Sequence, residues 1–295
     1  MALKDEIIRG TAWDGGLRVF AARTTALVSE LQRRQDTFPT ATAALGRTAT
    51  AAAMLGIMLK GQEKLTVQVK GDGPIGQIVV DANAAGEVRG YVDHPHVHLP
   101  SNGQGKLDVA GVVGRTGQLH VTKDLGLKDP YRGSVPIISG EIAEDFTLYF
   151  AESEQTPSAV GLGVLVETDN SVLHAGGFVV QVMPGLPEAR LVRLEQAIGA
   201  MPHVTALMDQ GESPEGLLRF LVGDDLTIHQ TIEPVFQCHC SRERFERALL
   251  TIGKSELRNL IDEDGQAETH CHFCNEKYLF DGEELEALYR LADRD

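Results

Sequence analysis

Four cysteines, Cys238, Cys240, Cys271 and Cys274, carry the spacing in this chain that can do chemistry; none occurs in the first 237 residues. They fall in two short pairs, Phe236-Gln-Cys238-His-Cys240 and Cys271-His-Phe-Cys274, separated by thirty residues. A secreted disulfide framework spreads its bridges through the chain, whereas two close pairs confined to one end read as a metal site or a redox device. Four thiolates in a tetrahedron suit Zn²⁺ and close its coordination shell, so Cys238, Cys240, Cys271 and Cys274 are the candidate zinc ligands. Cys238 and Cys240 stand two apart, closer than the two intervening residues usual in a structural zinc knuckle. That pair can also close on itself as a disulfide, as can Cys271 with Cys274, so the same sulfurs can leave a metal as two local bridges. Zinc holds thiols in the deprotonated, nucleophilic form that peroxide or hypochlorous acid attacks. His239, His270 and His272 lie beside the pairs as rival ligands, and Arg242, Arg244 and Lys277 lie close enough in sequence to offset the cluster's charge.

The elements that must position these residues follow from pattern. Leu65–Val69, Gln77–Val80 and Gly177–Gln181 read as strands within a sheet-rich region covering residues 1–180. In that region Thr40–Leu59 is a run of Ala, Leu, Met and Thr with Arg47 as its only charge, as a buried core helix would be. From Met183-Pro184-Gly185 the pattern changes to short helices broken by Gly and Pro. Leu191, Leu194 and Ile198 mark one, and Ser213-Pro214-Glu215 caps another that carries Leu217, Leu218 and Leu221. In the last portion, Phe245, Ala248, Leu249 and Ile252 mark a helix after Ser241. Leu257, Leu260 and Ile261 mark a second after Ser255. A turn at Asp264-Gly265, a strand Lys277–Phe280 and a helix opened by an Asp281/Glu284 capping box complete it. The expected organisation is therefore α+β, with a sheet-rich core packed around a buried helix (1–180), a helical segment (181–232) and a small C-terminal zinc-binding α+β domain (233–295).

Other motifs fail on their context. Gly71-Asp-Gly73-Pro-Ile-Gly76 has the spacing of a dinucleotide fingerprint but leads into a strand, so a hairpin turn is expected. Gly253-Lys254-Ser255 ends like a phosphate-binding loop, yet Ala248 stands where the loop's first Gly belongs. His94, His96 and His98 alternate around Pro95, and an exposed edge or loop is expected for them.

Composition narrows the class of partner. The net charge is −15, aromatics make up 5% of the residues, and residues 233–295 alone hold fifteen acids against eight basic residues. Such a chain does not suit phosphate backbones, so no nucleic-acid partner is expected. The longest strongly apolar run, Thr48–Leu59, falls far short of a membrane span, and the N-terminus shows no apolar signal segment. A soluble, cytoplasmic protein is expected. A portion of about sixty residues buries too little surface for secure stability, whereas structural zinc contributes an apparent ~10–16 kcal/mol at neutral pH. Loss of the ion should unfold it, and two disulfides closing tiny loops restore little. If the neighbouring short helices fail with it, Leu191, Leu194, Met208, Leu217, Leu218 and Phe220 become available to an unfolding client.

Cys-His-Cys-Ser-Arg-Glu-Arg-Phe (238–245), Glu-Asp-Gly-Gln-Ala-Glu (263–268) and Cys-His-Phe-Cys-Asn-Glu-Lys-Tyr (271–278) together form a specific pattern. With Ala44-Leu-Gly-Arg47, Gly73-Pro-Ile-Gly76, Asp81-Ala-Asn83, Gly105-Lys-Leu-Asp108, Lys123-Asp-Leu-Gly126, Ser153–Pro157, Ala175-Gly-Gly-Phe178 and Pro184-Gly185, the sequence closely resembles the bacterial heat-shock protein 33 family over nearly its whole length. The resemblance implies a redox-regulated, ATP-independent holdase, not an enzyme, with no catalytic residue. It implies that Cys238, Cys240, Cys271 and Cys274 are both the zinc ligands and the redox-active thiols. In the family the reduced, zinc-bound form is inactive; oxidation forms a disulfide within each pair, releases zinc, unfolds the C-terminal region and promotes homodimerisation. Unfolded or partly unfolded proteins are the implied partners. Two other classes fit parts of the pattern: a constitutive zinc-ribbon protein-interaction adaptor, and a thiol-disulfide oxidoreductase using Cys271-x-x-Cys274, for which no thioredoxin-like context is present.

Overall fold

The computed structural model describes residues 4–103 and 105–292. It falls into two compact units, one ending at Gln237 and one starting at Cys238.

The first unit is organised by one helix. α2 (Pro39–Gly56) starts with Pro39 at its first turn, where a missing N–H costs nothing, and buries every residue except Pro39 and Arg47. Its Ala and Thr residues are small enough for sheets to close on it from both sides. At Gly46 an added Cβ would stand 2.7 Å from Val28 and 3.0 Å from Val164, so only glycine admits α1 (Thr25–Gln35) and β8 (Ser158–Val166) this closely. The buried hydroxyls are satisfied locally: Thr48 donates to the Ala44 carbonyl at 2.9 Å and Thr50 to the Gly46 carbonyl at 2.8 Å. Arg47, the only charge on the helix, is held by Glu141, with Nη1 2.5 Å from the carboxylate.

Two sheets flank this helix. The first is antiparallel, in the order β10 (Leu226–Ile232), β1 (Glu6–Ala12), β2 (Leu17–Arg23), β9 (Val172–Val182), β8. The second runs β11 (Val235–Phe236), β5 (Glu87–Val92), β4 (Gln77–Asn83), β3 (Lys64–Gly71), β6 (Gly117–Asp124), β7 (Tyr131–Pro136), with only the β11–β5 pairing parallel. α2 packs on β2, β8 and β9 of one sheet and on β3, β4 and β5 of the other. The expected sheet-rich α+β core around a buried helix is what forms.

The outer face of the first sheet is covered by α5 (Glu188–Ala200), α6 (Val204–Asp209) and α7 (Pro214–Val222). Leu194, Leu207, Met208, Leu217, Leu218 and Leu221 are buried there with Ile8, Leu17, Val19 and Phe178 of the strands. Ser213 caps α7 as its sequence implies, accepting from the Gly216 amide at 3.1 Å. The segment differs from expectation in closing with a strand. Leu226-Thr-Ile-His-Gln-Thr-Ile pairs antiparallel with β1, and the register slips where His229 is inserted between the Gln230–Arg9 and Ile228–Gly10 pairs. This edge strand is largely exposed, so it lacks the apolar alternation by which a strand is usually read. Phe220 is already 44% exposed in this folded form.

The remaining motifs take ordinary places. Gly71–Gly76 turns β3 into β4, with the Gly73 amide donating to the Val113 carbonyl at 3.0 Å. His94, His96 and His98 follow β5 in a loop, where His96 meets Asp36 at 2.9 Å and His98 meets Thr40 at 2.9 Å. Among the described residues no helix is long and apolar enough to cross a membrane.

The second unit holds α8 (Arg242–Thr251), α9 (Lys254–Asn259), a π-helical turn (Leu260–Asp264), the hairpin β12 (Gln266–His270) and β13 (Lys277–Asp281), and α10 (Gly282–Leu291). Ser241 caps α8 as expected. α9 starts one residue before Ser255: its N-cap is Gly253 at φ +91°, a conformation Ser would resist, so Ser255 lies inside the helix. The Asp281/Glu284 capping box forms in both directions, at 2.9 and 3.0 Å. The apolar core consists of Leu249, Leu257, Ala267, Phe280, Leu285 and Leu288.

Leu45 is 1% exposed on α2. Leu45→Ala should lower the stability of the first unit by about 2–5 kcal/mol through the cavity it leaves, as read from urea unfolding.

Candidate metal centre

Both cysteine pairs belong to the second unit, and local backbone chemistry shapes each. Cys238 and Cys240 lie on the extended segment that enters α8, whose Ser241 cap fixes the point at which the chain turns helical. Cys271 and Cys274 occupy the connection between β12 and β13. There the Asn275 amide donates to the Cys271 carbonyl at 2.7 Å and the Cys271 amide to the Glu276 carbonyl at 2.9 Å. Asn275 adopts φ +58°, a left-handed conformation that Asn tolerates better than most side chains, and this tightens the knuckle.

The four Sγ atoms lie within 4.8 Å of one another, the only such group of metal-binding side chains found among the described residues. Cys238 and Cys271 are separated by 3.7 Å and Cys240 and Cys274 by 3.3 Å, across the pairs. Sulfurs bound tetrahedrally at the usual Zn–S distance stand about 3.8 Å apart. Four free thiols at this spacing, with Cys271 and Cys274 only 6% and 8% exposed, are a donor set that fits zinc.

The electrostatics of the metal-free cluster point the same way. Burial opposes ionisation of Cys238, but the Cys240 amide and the surrounding thiols outweigh it and bring its pKa down to about 7. Burial pushes Cys271 up, and it pushes Cys274 further up, reinforced by the neighbouring sulfurs. Negative charge on Cys271 and Cys274 is thus opposed, and a divalent cation would reverse that.

The flanking residues divide clearly. Arg242 donates to the Glu284 carboxylate at 2.6 Å and to the Leu279 carbonyl at 2.9 Å, and covers the Phe280 ring at 4.3 Å. Lys277 pairs with Glu268 at 2.9 Å, and Arg244 donates to the His239 carbonyl at 3.0 Å. Arg242 and Lys277 are thus engaged with carboxylates, and Arg244 braces the backbone between two candidate ligands. The His270 and His272 rings meet edge to face at 5.0 Å, and no imidazole belongs to the sulfur group. One residue was not singled out by sequence reasoning: Tyr278, whose hydroxyl stands 3.3 Å from Cys240 Sγ. The hydrogen bond with Cys240 raises the phenol's pKa, keeping it protonated. Its sequence signals are its position four residues after Cys274 and its place at the end of the 271–278 motif.

A family model described as Hsp33 protein matches residues 5–281. The chain belongs to the Hsp33 family. It is 54% identical to the 33 kDa chaperonin of Halalkalibacterium halodurans over 289 residues, covering 98% of this chain and 99% of that one. It is also 54% identical to the 33 kDa chaperonin of Bacillus subtilis over 284 residues, covering 96% and 98%. The crystal structure of the 33 kDa chaperonin from Thermotoga maritima superposes with a TM-score of 0.94 at 39% identity, covering 99% of this chain and all of that one. Membership in the Hsp33 family supports a chaperone function.

Replacing any one of Cys238, Cys240, Cys271 or Cys274 by Ser should abolish stoichiometric zinc binding and amide-exchange protection across residues 238–292, as measured by chelator titration and exchange mass spectrometry. In the intact chain, protons compete with the ion for the sulfurs. Apparent zinc affinity should therefore rise by at least about tenfold per unit between about pH 6 and pH 8.

Proposed function

We propose that the chain is a redox-regulated, ATP-independent holdase whose zinc-bound, reduced form is inactive. The observation that carries this reading is the cluster of four thiols within 4.8 Å, in a unit whose apolar core holds six buried residues among those described, in a chain of the Hsp33 family. So small a core supplies little stability of its own, and the sulfurs join its N-terminal segment to its hairpin. Bound zinc would hold the sulfurs as thiolates and cross-link those two segments.

Cys238, Cys240, Cys271 and Cys274 are the ligands and the redox-active groups in this reading. Oxidation closes Cys238 with Cys240 and Cys271 with Cys274: each pair forms one S–S bond and gives two electrons to the oxidant. Sulfurs so bonded no longer serve as thiolate ligands, the ion leaves, and two disulfides spanning a few residues each do not replace the lost cross-link. The second unit unfolds, and the helices of residues 181–232 that precede it loosen in turn. Those helices bury Leu194, Leu207, Met208, Leu217, Leu218 and Leu221 against one sheet, so their release bares apolar surface on helices and strands alike.

Unfolding proteins bind to that surface, and the net charge of −15 keeps the complexes dispersed. Residues 1–180 form the client-binding and dimerisation core, with homodimers favoured on oxidation. The protein works in the cytoplasm and has no catalytic turnover and no nucleic-acid or membrane partner.

Zinc-loaded protein treated with peroxide under mild heat should release one equivalent of zinc, lose four titratable thiols and suppress light scattering by a thermally unfolding client. Equal suppression by untreated protein removes the switch. A metal site that stays intact under oxidant points instead to a constitutive interaction adaptor.

A further inference from the structure

We propose that Tyr278, by donating its hydroxyl to Cys240 Sγ, restrains that sulfur from reaction with oxidant and so sets how readily the switch fires. This inference deepens the reading of the cluster as a redox switch and rests on it.

The contact is built from both sides. Tyr278 stands on β13 opposite Thr269 of β12, and the Thr269 hydroxyl donates to the Tyr278 carbonyl at 3.3 Å. Its ring lies on Phe245 of α8, with centroids 4.9 Å apart and planes inclined by 33°. α8 begins two residues after Cys240, and β13 begins three residues after Cys274. The ring is therefore clamped between the helix that follows one cysteine pair and the strand that follows the other. That clamp holds the hydroxyl at 3.3 Å from Cys240, where an exposed tyrosine without it would turn to water.

Direction follows from proton count. A sulfur serving as a metal ligand is a thiolate and has no proton to give, so the phenol is the donor. Oxidation needs the electron pair to which that hydrogen bond points. In the first step the thiolate attacks one oxygen of a peroxide: an S–O bond forms, the O–O bond breaks, and hydroxide leaves with the second oxygen. A neighbouring thiolate then attacks the sulfenic sulfur, forming S–S and expelling the oxygen as hydroxide. Two electrons have passed from sulfur to peroxide, and the two hydroxides carry off the two negative charges that the thiolates held. A donor on the sulfur withdraws density from that pair and makes it a poorer nucleophile, as any fall in sulfur basicity does. Tyr278 is a positioning and tuning residue here; it neither gains nor loses electrons.

Tyr278→Phe keeps the ring on Phe245 and removes only the hydroxyl. In the full-length zinc-loaded chain, zinc release under excess peroxide, followed with a chromophoric chelator, should be about ten- to a hundredfold faster than in the unsubstituted chain, the range expected for losing one hydrogen bond to a charged sulfur. The urea midpoint and peroxide-free zinc loss to a competing chelator should stay unchanged. With Co²⁺ in place of zinc, the thiolate-to-metal charge-transfer band should move to longer wavelength, because a sulfur without a donor gives up its electron more easily. An unchanged peroxide rate with an unchanged cobalt band overturns the proposal. So does equal acceleration of release with and without peroxide, accompanied by a lower urea midpoint, because that pattern marks packing alone. If the unsubstituted chain keeps its metal under peroxide, the switch reading itself has failed. The cobalt band then decides the Tyr278 contact alone: a shift supports it, and no shift overturns it.

Discussion

Mutual repulsion among closely held thiolates is the constraint on which the second unit turns. Four sulfurs gathered within 4.8 Å cannot all carry charge without a cation among them, and protonated they lose the bonds that would hold them together. Burial pushes the pKa of Cys271 and Cys274 up, while hydrogen bonds from the Cys240 amide and the surrounding thiols draw that of Cys238 down against the same burial, so the sulfurs accept charge unequally. Under the proposed function, a fold that gathers its sulfurs this way has a stability conditional on an ion and on the oxidation state of the atoms that hold it, so that condition and sensor are the same four atoms.

The first unit shows the contrasting strategy. Its core surrounds α2 and draws on two sheets, and even its single helical charge, Arg47, is matched by Glu141. No thiol takes part in that core, since all the cysteines lie beyond residue 237. The polypeptide thus joins a core stabilised by apolar burial to a small unit with little burial of its own. Between the two regimes in sequence lie α5, α6 and α7, short helices interrupted by Gly and Pro, whose buried side chains share one apolar cluster with the strands of the first sheet.

Much of this was legible in the residues. The cysteine pairs announced a metal or redox site, the Ala/Thr run with its lone Arg47 announced a buried helix, and Ser213-Pro214 and Asp281/Glu284 announced helix starts, because caps and periodicity are local signals. β10 and β12 were less legible. β10 is an exposed edge that exists because β1 offers it a partner far away in sequence, and β12 is a five-residue strand defined by its hairpin mate. Gly253 displaced Ser255 from the capping position because a left-handed backbone is needed there, which composition alone does not reveal. Tyr278 escaped notice for the same reason as β12: its neighbour across the hairpin and the ring beneath it are tertiary facts. The grouping of the four sulfurs was therefore readable from spacing, while the group in contact with one of them was not.

The capping box at Asp281 has a mechanical consequence. β13 ends at Asp281 and α10 starts at Gly282, with the box's reciprocal hydrogen bonds bridging the junction. No slack separates strand from helix, and Phe280, Leu285 and Leu288 sit on one continuous stiff arm rooted three residues past Cys274. A displacement at the sulfur end would act on that arm as at the short end of a lever, and the apolar side chains of this unit would be pulled apart together rather than one at a time.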